Sequence, residues 1–426
     1  MPGWNSFSCL PCFSWLFISP MASLIEPLIK IGLLVGGLMT AAAYFVLLER
    51  RMAAWTQDRI GPNRVGIPLT NIRIWGLGQP LADGLKFILK EEYTPAHVDR
   101  RLFVLAPLMI LASALAVYAV IPFGSLIPPF EIGPLKSEKP IELVVAPTVD
   151  VGVIYAFALA SIAIYGVILG GWASNSKYSF LGGLRSSAQL IAYELPMGLG
   201  ILGVVLAAGS LNLTTITQVQ GQQGWFALMQ PLGFIVFVVA SFAEAARLPF
   251  DLPEAEQELI GGYHTEYSGM KLILYLIAEF LHMITASFLI AILFLGGWHF
   301  PLITGDPAAE SIGWVTAILR ILVLQAKIFA VIVFFMWVRW SWPRFRYDQL
   351  MNLAWKIMLP LGLVNLVVLA VLYELRHVSD PQSTSGAWTL AILAGSWITF
   401  VLAWLVTALV NPRVTDNRRV GYVRQA

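Results

Sequence analysis

The stretch EAARLPFDLPEAEQELIGGYHTE, residues 244–266, holds six carboxylates (Glu244, Asp251, Glu254, Glu256, Glu258 and Glu266) in a chain with only 25 acidic residues. It grows out of an apolar run, PLGFIVFVVASFAEAA, is cut by Pro249 and Pro253, and has only Arg247 and Lys271 as nearby bases. Acids crowded beside apolar sequence bind protons more tightly, because desolvation and like-charge neighbours both disfavour the anion. Proton exchange near neutral pH is the chemistry such a pattern points to. Further ionisable residues interrupt apolar sequence elsewhere: Glu194 in LIAYELPMG, Glu279 in LIAEFLHM and Lys327 in VLQAKIFAV. At a bilayer centre each costs roughly 2.5–3.5 kcal/mol on insertion scales, so such residues face protein or water and often mark ion or proton routes.

The elements that must position these groups are membrane helices. Of 426 residues, 58% are hydrophobic and 12% charged, and the mean hydropathy is +0.74; a soluble domain has about 45–50% apolar and about 25% charged residues. Runs long enough to cross a hydrocarbon core of about 30 Å lie near 26–50, 102–121, 149–172, 187–208, 228–246, 272–297, 315–340, 354–373 and 387–410. The expected fold is therefore an all-α polytopic membrane protein of about nine transmembrane helices. Each run is continuously apolar, unlike the short alternating segments of a barrel. Between the first two spans, Leu81, Ala82, Leu85, Ile88 and Leu89 recur at helical spacing, with Asp83, Lys86 and Lys90 on another face. That spacing predicts an amphipathic interfacial helix, whose Asp83 and Lys86 face can meet the head group of an amphiphile.

Basic residues set the orientation. One side carries 21 of the 27, nine of them in the loop after span 1, whereas the other side has Lys136, Lys139 and Arg376. The positive-inside rule places the N-terminus outside and the basic C-terminal tail inside, with the carboxylate cluster at the inner end of span 5. The net charge of +2 adds nothing further, and nothing supports nucleic-acid binding.

Several motifs are discounted. CLPC, with both cysteines, has redox spacing but no βαβ context, and two cysteines cannot supply the usual ligands of an iron–sulfur cluster. The first twenty residues lack the basic region of a signal peptide, and translation from Met21 would give span 1 a natural start. Gly198, Gly200 and Gly203 form a nominal GxGxxG inside a span, where close helix packing explains them better. Glu279 and His282 make a single ExxH, whereas a di-iron bundle needs two such motifs.

Five longer stretches resemble one family: RIGPNRVG, QPLADGLKFILKE, DVGVIYAFALASIAIYGVILGGWASNSKYSFLGGLRSSAQLIAYELP, FAEAARLPFDLPEAEQELIGGYHTEYSGMKL and SWPRFRYDQLMNLAWK. Their order and content closely resemble the H-type membrane subunit of bacterial proton-translocating NADH:quinone oxidoreductase, respiratory complex I, from about Leu24 to about Tyr373. The resemblance implies a translocase component of the bacterial cytoplasmic (inner) membrane, at the junction of the membrane and peripheral arms. It implies quinone as substrate, and flavin mononucleotide (FMN) and iron–sulfur clusters on partner subunits rather than on this chain. Partners would be the peripheral-arm quinone-site subunits, the antiporter-like subunits of the membrane arm, and lipids. Carried over residue by residue, the quinone-chamber positions are Glu49, Arg50, Asp83 and Lys86, with Arg59 and Arg64 meeting the peripheral arm. The implied proton path begins at Asp251, Glu254, Glu256, Glu258 and Glu266 and passes Glu244 and Glu194; Lys327 also matches a family position. The implied division is an N-terminal extension at 1–23, an eight-span core at 24–373, and an extra span with a basic tail at 374–426. The chain departs from the family in that extension, in the insertion IPLTNIRIW and in the ninth span. Membrane-bound hydrogenases and ferredoxin-linked complexes use a homologous component, so the donor stays open. A free-standing transporter is the rival from another class, against which stands the lack of an internal repeat.

Overall fold

The computed structural model describes residues 10–66, 75–132, 135–137, 140–252, 256–301, 303–305, 313–379 and 386–410. Glu254, most of the insertion at 67–75 and the basic tail from 411 lie outside these residues, as does the side chain of Glu256.

The first helix, α1 (Leu10–Thr56), leads through a loop to the amphipathic α2 (Gln79–Leu89). The helix α3 (Arg100–Ala116) starts where the Asp99 carboxylate accepts the backbone N–H groups of Arg101 and Leu102, satisfying donors that a helix start leaves orphaned. Two short antiparallel ladders follow, formed by β1 (Leu126–Ile127) with β4 (Ile141–Glu142) and β2 (Phe130–Ile132) with β3 (Leu135–Ser137). Then come α4 (Gly152–Ala173), α5 (Lys177–Ala208), α6 (Leu213–Gln223), α7 (Phe226–Met229) and α8 (Pro231–Glu244). Beyond the loop that holds the short α9 (Glu256–Leu259) lie α10 (Gly269–Leu293) and α11 (Trp314–Ser341). A helix runs on through α12 (Tyr347–Asn352), a π-helical turn (Leu353–Met358) and α13 (Leu359–Ser379), and α14 (Gly386–Val410) is last.

Among the described residues, eight helices are long and apolar enough to cross a membrane. The expected fifth span is the exception. Its helix α8 has 14 residues, about 21 Å at 1.5 Å per residue, less than the hydrocarbon thickness of about 30 Å. The cause is local. Pro231 lacks an N–H and starts a new helix, so the chain breaks at Gln230 between α7 and α8. The carbonyls left at that break find donors on α14: Ser396 donates to the Met229 carbonyl at 2.5 Å and the Trp397 indole to that of Leu228 at 3.0 Å. Irregular backbone is tolerated at membrane depth only where protein satisfies it in this way.

The most enclosed long helix is α10, with 72% of its apolar window buried, against 11% for α14. The α10 helix therefore forms the axis of the bundle, with α3, α11 and α1 against it, while α14 covers α7, α8 and α13 from outside. Two of the three span glycines pack as the sequence suggests: a Cβ on Gly200 would stand 3.1 Å from the Gly233 carbonyl oxygen and one on Gly203 2.7 Å from Gln230 Oε1, whereas one on Gly198 would meet nothing within 4 Å. This near-contact lets α5 and α8 press together and fixes the lateral position of Glu244.

Candidate functional site

One cavity, about 630 Å3 in volume, opens between α1, the Arg59–Pro62 turn, the loop after α8, α10 and the end of α11. Its charged lining is Glu49, Arg50, Arg59, Arg247, Glu279 and Arg339, four guanidiniums against two carboxylates. Glu49 and Arg247 are both buried, at 8% and 7% exposure. Arg247 sits at the centre: its Nη1 lies 3.5 Å from Glu49, its Nη2 lies 4.0 Å from Glu279, and its guanidinium stands 4.3 Å from the Phe280 ring centroid. Arg339 makes a second, close ion pair to Glu49. Buried charges of this kind persist only when paired, and removing one partner costs far more than the pair contributes.

The amphipathic α2 packs against α1 and α10 and meets the cavity lining at Arg50, which pairs with Asp83 at 2.6 Å, with Gln79 also donating to Asp83 at 3.0 Å. That pair is about half exposed on the arginine side, so it contributes about 0–1 kcal/mol. Its consequence is orientation, because it turns Leu81, Leu85, Ile88 and Leu89 outward, all at least 50% exposed. Arg59 lines the cavity, while Arg64 and Lys86 are exposed and are not among its lining residues.

A second cavity, near 60 Å3, lies deeper and is lined by Glu194, Glu244, Glu279, His282, Tyr263 and Tyr275 among others. It has room for a few waters, since one needs roughly 10–15 Å3 of such volume. Ser161 donates a short hydrogen bond to Glu194, and Tyr263 donates to Glu279 at 3.3 Å. A third, smaller cavity continues from it and shares Glu244 and His282. Glu279 lines both the first cavity and the second. The order is chamber, Glu279, acid cavity, Glu244.

Among the described residues, the acids of 244–266 do not form one patch. Glu244 enters the cavity, whereas Asp251, 5% exposed, pairs with Arg344 at 3.0 Å, and Glu258 pairs with Arg185 at 2.7 Å. Glu266 is half-buried. Lys327 is held elsewhere, donating to the carbonyls of Leu295, Gly297 and His299 at 2.6, 2.9 and 2.6 Å, and it lines neither acid cavity. Among the described residues, no three His, Cys, Asp or Glu side chains converge to hold a metal.

Gln189 keeps the acid end of α8 in register. It is fully buried and donates to the carbonyls of both Ala243 and Phe250, at 2.9 and 2.8 Å, clamping the helix end to the loop beyond it. Gln189→Leu keeps the bulk but removes both hydrogen bonds, each contributing about 0.5–1.5 kcal/mol, and leaves the two carbonyls only backbone donors, Ala246 and Leu252 among them. The expected result is a lower melting temperature of the purified protein, followed by thermal unfolding in detergent.

Sequence reasoning named Glu49, Arg50, Glu194 and Glu244 but left Arg247, Arg339 and Glu279 outside the site. Glu279 carried a usable signal as an acid in an apolar run. The arginines carried none, because each meets its carboxylates across more than thirty residues of chain or from another helix.

The fold and site together define a multi-span helical membrane protein whose charged cavity is joined to half-buried acids by a shared glutamate. A family model described as NADH dehydrogenase matches residues 29–370. An H-type NADH-quinone oxidoreductase subunit of Cytophaga hutchinsonii is 46% identical over 352 residues, 82% of this chain and 97% of that protein. The like-named protein of Geobacter metallireducens is 46% identical over 350 residues, with the same coverage of both chains. NADH-quinone oxidoreductase subunit 8 of Thermus thermophilus is 47% identical over 347 residues, 82% of this chain and 87% of that one. The chain belongs to the NADH dehydrogenase family, among the H-type subunits of NADH-quinone oxidoreductase.

Proposed function

We propose that this chain forms much of the quinone chamber of a proton-translocating NADH:quinone oxidoreductase and passes the effect of quinone reduction to acids within the membrane. The observation that carries the reading is Glu279, one carboxylate shared by the 630 Å3 chamber and the acid cavity.

Reduction of a quinone to a quinol takes two electrons and two protons. The electrons come from partner subunits, which hold the flavin and iron–sulfur groups. Negative charge arriving in a chamber of four arginines and two glutamates competes with Glu49 and Glu279 for Arg247. As Arg247 turns toward the reduced quinone, Glu279 loses its counter-charge and its proton affinity rises. A proton moving onto Glu279 from the acid cavity changes the charge felt by Glu244 and Glu194, and the shift continues toward antiporter-like partners. Glu49, Arg50, Asp83 and Lys86 bind and orient the quinone in this scheme, and Arg59 and Arg64 meet the peripheral arm. Asp251, Glu254, Glu256, Glu258 and Glu266 serve as the outer, cytoplasm-facing part of the acid route. Lys327 fixes the loop beyond α10 as a half-buried charge. The outward apolar face of α2 lies in the lipid interface, where the substrate's tail enters. The protein works in the bacterial inner membrane with its basic end inside, and residues 24–373 form the working core.

The test is purification through a C-terminal tag, with mass spectrometry of co-purifying subunits and an NADH:quinone reductase assay. The expected result is recovery of flavin and iron–sulfur subunits with inhibitor-sensitive activity. A lone chain, or hydrogenase-type partners, overturns the reading.

A further inference from the structure

Tyrosine hydroxyls lie between the acid cavity and an exposed cleft that the scheme above does not use. The cleft, about 560 Å3, is walled by His97, Asp99, Trp172, Asn175, Lys177 and Phe180 at the junction of α4 and α5. Its three ionisable side chains, His97, Asp99 and Lys177, are exposed. Ser174, fully buried, stands in the turn between the cleft-lining Ala173 and Asn175.

Behind Ser174 lies a stack of rings. Tyr267 lies flat on Phe103 at a centroid distance of 3.9 Å and edge-on to Tyr275 at 4.9 Å; Tyr275 is in turn edge-on to Tyr263 at 5.2 Å. The three hydroxyls gather about Gly170: Ser174 donates to the Gly170 carbonyl at 2.7 Å, and the hydroxyls of Tyr275 and Tyr267 lie beside its Cα. Tyr275 and Tyr263 line the acid cavity, and Tyr263 donates to Glu279. Gly170 makes room for this meeting: a Cβ there would touch Tyr275 Oη and stand 3.6 Å from Tyr267 Oη.

Tyr267 and Tyr275 are 4% and 1% exposed, yet among the described residues neither hydroxyl has a hydrogen-bond partner. Packing alone gives no reason for phenols here. A buried unsatisfied hydroxyl is destabilising, and a phenylalanine would fill the same space without that cost. Such groups call for a functional explanation. Burial pushes Tyr267 up to about 12, so its hydroxyl stays protonated and can accept on one side while donating on the other.

We infer that Ser174, Tyr267 and Tyr275 form a proton feed from the His97/Lys177 cleft into the cavity of Glu244 and Glu279. The inference rests on the proposed proton role of that cavity. Each hop is balanced: the hydroxyl oxygen accepts a proton from the cleft side and releases its own toward the cavity, so no tyrosine changes charge after the pair of transfers. The feed resupplies the acids after they have given protons onward.

The test uses the whole complex in proteoliposomes, with Tyr275→Phe, Tyr267→Phe and Ser174→Ala, and Glu244→Gln in parallel. Subunit content and melting temperature are measured beside proton uptake coupled to quinone reduction and its solvent deuterium effect. The expected result is assembled Phe variants of unchanged or higher melting temperature, with coupled proton uptake reduced at least about tenfold, since a positioned proton-transfer group contributes at least that much. The solvent deuterium effect changes with it. Ser174→Ala, which removes a hydroxyl and alters no ring, shows the same loss. Wild-type uptake and isotope effect in all three, with Glu244→Gln inactive, overturn the feed and leave the acid cavity in its role. Wild-type behaviour in all four overturns both.

Discussion

Arg247→Met will reduce quinone reduction by roughly 100-fold or more while the complex still assembles. The side chain is 7% exposed and, among the described residues, is the one cation that faces Glu49, Glu279 and the Phe280 ring together. Methionine keeps much of the volume but withdraws the charge. Breaking a buried pair costs about 3–5 kcal/mol, and 3 kcal/mol corresponds to a factor above 100. Glu49 keeps Arg339, so the unmatched charge falls on Glu279. Arg247→Lys retains the charge without the planar fork that spans two carboxylates, and intermediate activity is expected. The double variant Arg247→Met/Glu279→Gln removes the carboxylate left facing the methionine and serves as the folding control: assembly is retained and activity does not return. NADH:quinone reductase assays on the purified variants, with subunit content checked, decide this. Activity of Arg247→Met within twofold of wild type would show that the chamber works without its central guanidinium.

The second large effect is at Glu279. Glu279→Gln keeps the hydrogen bond available to Tyr263 and the size of the wall between the cavities, but it cannot take up a proton. The result expected is loss of coupled proton movement by about tenfold or more, the scale on which one positioned acid–base group acts. Quinone binding changes little, because the chamber keeps Glu49 and its four arginines. A raised KM with unchanged turnover would instead make Glu279 a binding residue. Proton uptake and KM measured on the same preparation separate these outcomes.

Much of the fold is legible in the sequence because a membrane imposes it. A continuous apolar run has to be helical to satisfy its own backbone, so the spans are readable from length alone, and the amphipathic helix at Gln79–Leu89 from its spacing. The broken fifth span is less legible. Pro231 marks the break, but the donors that make it tolerable, Ser396 and Trp397, lie more than 160 residues later. The site divides in the same way. Glu194 and Glu244 stand out as acids in apolar sequence, and the structure brings both to one cavity. The cluster at 244–266 looks like one acidic patch because its bases are not nearby in the chain; Arg185 and Arg344 arrive from other segments and pair with Glu258 and Asp251. Glu279 and His282 read in sequence as an incomplete metal motif. Only once α10 lies beside α8 and the loop beyond it does Glu279 become the wall shared by two cavities.

The central claim is that charge in the chamber is transmitted to the acids of the membrane. Its most direct test is quinone reduction and proton translocation measured together in proteoliposomes carrying the assembled Glu244→Gln complex, with Glu194→Gln beside it. Glutamine preserves size and leaves the chamber arginines untouched. The account predicts full subunit content with proton translocation abolished and coupled quinone reduction falling with it. Wild-type rates of both in the two variants would contradict it.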